Sequence, residues 1–206
     1  PSDITRDPPD PNDRPYAGWL YVSIGAIAVR DDQYDQGYLS IGVVGPAARA
    51  EQVQTFVHEV VHSDLPKGWS SQLSNEPGVV LGYQRTWRKC RECRLGRFEV
   101  EVQPHLGGAL GNVYTYLNTG ATVRIGLRMP DDYGVPRIEP SLPGSGYFKQ
   151  KNGSGAYVFA GVSGRAVGRN IFLDGNTFSD SPSVDKRVLV ADLQFGIVWA
   201  WRQLRI

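Results

Sequence analysis

The run 187–201 places Leu189, Ala191, Leu193, Phe195, Ile197, Trp199 and Trp201 at every second position, with Asp192, Gln194 and Gly196 between them. A period of two is the signature of an extended strand, whose successive side chains point to opposite faces; on a helix the same residues would scatter around the axis. The segment at 98–107 repeats the pattern: Phe98, Val100, Val102, Pro104 and Leu106 alternate with Glu99, Glu101, Gln103, His105 and Gly107. Leu20, Val22, Ile24, Ala26 and Ala28 line one face of 16–29, and Leu39, Ile41 and Val43 form the return strand after the polar break RDDQYDQG. Similar two-faced runs at 78–88, 113–128 and 155–167 bring the expected total to seven strands. Several exceed the roughly 5 to 6 residues usual in soluble sheets. Such strands can close as a sandwich with apolar faces inward, or as a membrane barrel with apolar faces toward lipid and polar faces toward the lumen. Spans of about 9 to 11 residues and abundant aromatics favour the barrel.

Composition narrows the choice of function. Across 206 residues, 22 Lys and Arg against 21 Asp and Glu leave a net charge of +1, which excludes the broad basic face of a nucleic-acid binder. No stretch approaches the roughly 18 apolar residues of a membrane helix. Glycine is frequent (24), as are Trp (5), Tyr (10) and Phe (7), a mix that suits strands and turns. Residues 1–15 are rich in proline and polar residues and read as an extended loop, and since no basic n-region with an apolar h-region follows Pro1, any export signal is expected to be already absent. Cys90 and Cys93 read as a turn without a redox or metal role, the alternative being a local disulfide or redox pair.

One helix interrupts the strands. Val53, Phe56, Val57, Val60 and Val61 recur at helical spacing, predicting a helix over 47–62 that ends before Pro66 and Gly68. His58 borders its apolar stripe, with Gln54 one turn before, His62 one turn after and Asp64 just past the end. The bland reading is a histidine capping a packing face. His58-Glu59-Val60-Val61-His62 also spells the zinc-protease pattern H-E-x-x-H, in which two imidazoles on one helical face hold the metal; Glu76 would have to be the third ligand. His105 is expected to line a lumen or to face water, mainly as structural filling. Phe172 to Thr177 carries Asp-Gly turn chemistry that needs no ligand. Neither a phosphate-binding glycine loop nor a G-x-S-x-G elbow is present.

The motifs Asn12-Asp13-Arg14-Pro15-Tyr16-Ala17-Gly18-Trp19, Val43-Val44-Gly45-Pro46, Gln52 to Glu59, Pro66-Lys67-Gly68-Trp69 with Gln72 and Asn75-Glu76-Pro77, Gly111 to Tyr116, and Phe172 to Phe178 run in order along nearly the whole chain. Together they resemble the lipid A deacylase family of Gram-negative outer membranes, known for 3'-O-deacylation. The resemblance implies an all-β fold: an antiparallel twelve-stranded outer-membrane barrel, with the active site near the outer rim between the wall and a helical loop. The seven strands here would be its middle, about three preceding Pro1 and about two following Ile206. On that reading residues 1–206 form one incomplete barrel domain, with helix 47–62 in a long loop.

By the same resemblance the protein is a calcium-dependent esterase in which a histidine activates water. His58, in the Gln-x-x-x-His setting, matches the catalytic base, and Asp64, six residues on, matches the acidic Ca²⁺ ligand. Such an assignment is chemically sound. A neutral imidazole takes a proton from water at neutral pH, and a hard cation held by oxygens stabilises an oxyanion. Arg6 is the nearest counterpart of a basic residue in the loop before Asn12, and Lys67 is its rival for lipid A phosphate. An Asn-Asp pair and a Thr that the family needs for activity lie on its first two strands and have no counterpart here; Asn12-Asp13 resembles the pair in letters only. The 206-residue chain by itself is therefore expected to be inactive. The implied partners are lipid A or lipopolysaccharide and outer-membrane lipids, with no nucleic acid and a monomeric barrel. Two other functions compete: a zinc metalloprotease, which needs His58, Glu59 and His62 together, and a lipid-binding or structural barrel without catalysis.

Overall fold

A computed structural model describes residues 1–133, 148–149, 153–202 and 204–206. Seven long strands, β1 (Trp19–Arg30), β2 (Gln33–Val44), β3 (Glu76–Trp87), β5 (Phe98–Gly111), β6 (Tyr114–Leu127), β9 (Ser154–Asn170) and β10 (Leu189–Trp201), form one antiparallel sheet in the order β1-β2-β3-β5-β6-β9-β10. The short strand β11 (Leu204–Arg205) follows β10 at the edge, and β4 (Lys89–Leu95) pairs with β5 beside β3. The remaining strands, β7 (Asp131–Asp132) and β8 (Phe148–Lys149), pair with each other. Among the described residues two α-helices lie in loops: α1 (Ala50–Val60) between β2 and β3, and α2 (Ile171–Asp174) between β9 and β10.

The seven expected strands are present, and their period of two decides which way the sheet curls. Side chains on its polar face reach across an intervening strand: Asn118 of β6 donates to Gln84 of β3 at 3.1 Å, His105 of β5 lies 3.2 Å from Ser163 of β9, and Gln194 of β10 meets Thr122 of β6 at 3.5 Å. Strands two apart can touch in this way only on a concave face. Gly120 makes room for one such contact, since a Cβ there would sit 2.7 Å from the His105 ring. The concave face is polar and largely buried, whereas the convex face carries Leu20, Ile24, Leu81, Leu117, Leu193 (82% exposed) and Phe195 (88% exposed). Trp87, Trp199 and Trp201 stand on the convex face near the end of the strands opposite α1, where an interfacial aromatic girdle belongs. No described helix is long and apolar enough to cross a membrane; the strands are the elements with lipid-facing surface.

This polarity makes a direct prediction. Phe195 lies mid-strand on the convex face, and Phe195→Arg is expected to destabilise the full-length barrel in vesicles by ~2–4 kcal/mol, the cost of a cation near the bilayer midplane. Gln194→Arg, one residue away on the lumen face, is expected to cost far less. Urea titration in vesicles measures both, and equal costs would contradict the assignment of faces.

At the end of the lumen away from α1, the segment after β6 is tied inward by buried charges. Arg124 pairs with Glu101 at 2.8 Å and with Asp132, and its guanidinium lies 4.9 Å from the centre of the Tyr157 ring. Arg88 joins Glu101 at 2.6 Å to Asp131 at 2.9 Å, and Arg205 of β11 reaches Asp132 at 3.0 Å. Three guanidinium groups thus meet three carboxylates, which lets ionised groups sit out of bulk water.

Three expectations change. The sequence Gln33 to Gly37, read as part of a polar break, belongs to β2, and only Asp31 and Asp32 form the turn; Asp35 is satisfied there by Arg85 and Tyr83, each at 2.6 Å. The helix spans 50–60 instead of 47–62, because Pro46–Ala48 forms a separate 3₁₀ turn and Arg49 adopts a left-handed conformation (φ 59°). The cysteine segment, expected as a turn, is strand β4, and Cys93 is disulfide-bonded. A disulfide accords with an oxidising compartment such as the periplasm or the cell surface.

Candidate active site

One rim of the sheet carries the N-terminal loop 1–18, the β2–β3 loop with α1, the tight β5–β6 turn and the β9–β10 loop with α2. Within it α1 has an unusual footing. None of its residues is buried, and its apolar stripe faces outward, with Val53, Phe56 (65% exposed), Val57, Val60 and Val61 all exposed. The stripe expected to pack against a core does not do so. Polar ties hold the helix instead. Gln54 accepts a hydrogen bond from Trp69 Nε1 at 2.9 Å, and Trp69 is buried against Tyr16, with ring centroids 5.0 Å apart. Gln54 stands one turn before His58, so the Gln-x-x-x-His spacing gives the helix an anchor on the face that carries the histidine.

The end of α1 sets the histidine ring. Past Val60 the chain unwinds: Ser63 N donates to His58 O at 2.9 Å, and His62 takes a left-handed conformation (φ 55°). This return brings the Asp64 carbonyl oxygen to 2.6 Å from His58 Nδ1. A carbonyl only accepts, so in the neutral ring Nδ1 carries the proton and Nε2 keeps a free lone pair. His58 is half-buried, while the Asp64 carboxylate is exposed and has no hydrogen-bond partner among the described residues. His58 and Asp64 therefore lie side by side, and it is the main-chain carbonyl of Asp64, not its carboxylate, that touches the ring.

The two candidate cations lie in segments that touch. Lys67 N donates to Ile4 O at 2.8 Å, and Tyr16 OH donates to the same oxygen at 3.2 Å. Gly68 permits this approach, since a Cβ there would lie 2.4 Å from the Tyr16 ring. Arg6 is ion-paired with Asp10 at 2.9 Å; the Asn12 N–H, with the Arg6 guanidinium, holds the Asp10 carboxyl below the usual carboxylate range. Lys67 is exposed and makes no ion pair among the described residues.

The zinc pattern is not assembled. His62 lies beyond the end of α1, so the two histidines do not share a helical face. Glu76 is committed elsewhere: at the start of β3 and only 5% exposed, it accepts hydrogen bonds from Asn112 Nδ2, Asn176 Nδ2, Thr177 N and Thr177 Oγ1, at 2.7 to 3.0 Å. Among the described residues no three His, Cys, Asp or Glu side chains gather as a metal-binding group. His105, expected to fill or line a lumen, is buried on the concave face beside Ser163. A cleft of about 1030 Å³ on the convex wall, lined by Leu81, Tyr83, Leu106, Leu110 and Leu117, contains none of these residues.

Sequence reasoning missed the part played by Gln54, Trp69, Asn112, Asn176 and Thr177. Their signal was the spacing of short polar motifs that only the fold brings to one rim.

An apolar convex wall, tryptophans along one edge of it, a polar lumen and a helical loop on one rim define the wall of an outer-membrane β-barrel. Residues 1–206 match the family model described as outer membrane protein LpxR. The chain belongs to that family, and its place is the outer membrane of a Gram-negative cell. Among solved structures, LpxR from Salmonella typhimurium shares the fold at a TM-score of 0.78 and 24% identity, with 96% of this chain and 67% of that one covered. A search of curated proteins gives no match.

Proposed function

We propose that the protein is a lipid A deacylase that hydrolyses an ester-linked acyl chain at the 3'-O position, with His58 as general base. The observation carrying this reading is the 2.6 Å contact from His58 Nδ1 to the Asp64 carbonyl, which leaves Nε2 as the acceptor on a half-exposed ring. Membership of the LpxR family supports the substrate class, and a histidine oriented through one nitrogen is the arrangement general-base catalysis requires. Water attacks the acyl carbonyl carbon as its proton passes to His58 Nε2. The tetrahedral intermediate then breaks its bond to the sugar oxygen, which takes that proton, and a free fatty acid and an alcohol result. Arg6 and Lys67, in touching segments of the same rim, are proposed to meet the phosphates of lipid A, Lys67 as a point charge and Arg6 once it leaves Asp10. The protein is proposed to act as a monomer.

Calcium is the proposed cofactor. The exposed Asp64 carboxylate suits a hard cation, but Ca²⁺ takes 6–8 oxygens, and the described residues offer no cluster around Asp64. They do not hold the ion unaided. When bound, calcium would supply polarisation of the ester carbonyl.

Purified full-length protein incubated with lipid A is expected to release a fatty acid, with the matching loss of one acyl chain from lipid A by mass spectrometry. Chelator is expected to stop release, and added Ca²⁺ to restore it. Lipid A of unchanged mass would refute the deacylase reading, and release indifferent to chelator would remove calcium from it.

A further inference from the structure

We propose that Asn176 and Glu76 are positioning residues for the reaction: through them the β9–β10 loop fixes where α1 sits and so where His58 points. This rests on the reading of His58 as the base. Because α1 buries no residue and only Ala50, at its first position, packs closely on the protein, against Gly18, polar ties carry most of the work of fixing its position. One tie lies at its leading end, where Ala47 N donates to Asn75 Oδ1 at 2.8 Å. Alongside it, Gly45 (φ 98°) runs so close that a Cβ there would meet the Ser74 carbonyl oxygen at 2.6 Å. Thus whatever holds Ser74 and Asn75 also holds the lead into α1.

Their other side is held by Asn176. Its Oδ1 accepts from Ser74 N and its Nδ2 donates to Ser74 O, both at 2.9 Å, which pairs the amide with the backbone as a neighbouring strand would. The same Nδ2 reaches Glu76 Oε2 at 3.0 Å. Glu76 then fastens the loop: its four hydrogen bonds fill the roughly four lone-pair sites of a carboxylate, leaving none for a metal or a proton in transit. Arg169 closes the far side, donating to Asn112 O at 2.8 Å and to Gly175 O and Thr177 Oγ1 at 2.9 Å. Loops 102 residues apart in sequence therefore form one rigid piece, and α1 is mounted on it.

The test uses full-length protein carrying Asn176→Ala or the isosteric Asn176→Asp, which keeps an acceptor for Ser74 N but sets a carboxylate against Glu76. Both are expected to lower kcat by on the order of 10²-fold, the cost of displacing a reacting group by about 1 Å, with KM little changed. Spin labels at Glu51→Cys on α1 and Ser179→Cys on the loop are expected to report a narrow distance distribution in the parent and a broad one in Asn176→Ala. Wild-type kcat, or an unbroadened distribution, overturns the proposal, as does failure of both variants to fold, which would make the residues determinants of the fold. His58→Ala assayed in parallel separates the two claims: if it stays active, the reading of His58 fails, whatever Asn176 does.

Discussion

Replacing His58 by alanine is expected to lower ester hydrolysis by roughly 10²- to 10⁴-fold, the range that a positioned general base contributes. The ring is oriented by one contact, Nδ1 to Asp64 O, made where the chain folds back after α1. His58→Gln should not rescue the rate, since an amide offers no basic nitrogen. His62→Ala should leave activity close to wild type, because His62 lies past the helix end and joins no metal-binding group among the described residues. A zinc protease demands the reverse, with both histidines required. Fatty-acid release assays on the three variants distinguish these outcomes; loss of activity in His62→Ala would reopen the metal reading.

The second large effect concerns folding. Arg124 is fully buried and bridges Glu101 and Asp132. Arg124→Met leaves two buried carboxylates facing one guanidinium fewer, and breaking such a pair from one side costs ~3–5 kcal/mol. Arg124→Lys should recover only part of this, because a single ammonium cannot present a planar fork to two carboxylates. Denaturant unfolding of the full-length barrel in vesicles measures the loss. A change below about 1 kcal/mol, the ordinary value of an exposed pair, would show that the cluster is hydrated.

What the sequence revealed, and what it concealed, follows from the range of the forces involved. Strands such as Phe98–Gly111 and Leu189–Trp201 were legible because lipid on one side and lumen on the other force a local alternation. Strand β4, Lys-Cys-Arg-Glu-Cys-Arg-Leu, has no such alternation and passed for a turn. Helix α1 was visible from its stripe, yet the stripe reports only that the helix has two faces; which one meets the protein is decided by Gln54 and Trp69, 15 residues apart. His58 and Asp64 stood out through the family resemblance, but the contact of the Asp64 carbonyl with the ring depends on the left-handed turn at His62. Glu76, weighed as a zinc ligand, proved to be the fastening of the rim, because its partners Asn112, Asn176 and Thr177 come from loops far away in sequence.

Hydrolysis of lipid A by the full-length protein in heavy-oxygen water tests the central claim most directly, since it follows the atom that His58 is said to activate. The released fatty acid should carry heavy oxygen in its carboxyl group, and the His58→Ala protein should release almost none. Unlabelled acid would show that water does not attack the acyl carbonyl, and the acyl chain recovered on another lipid would show that water is not the acceptor; either result would contradict the mechanism.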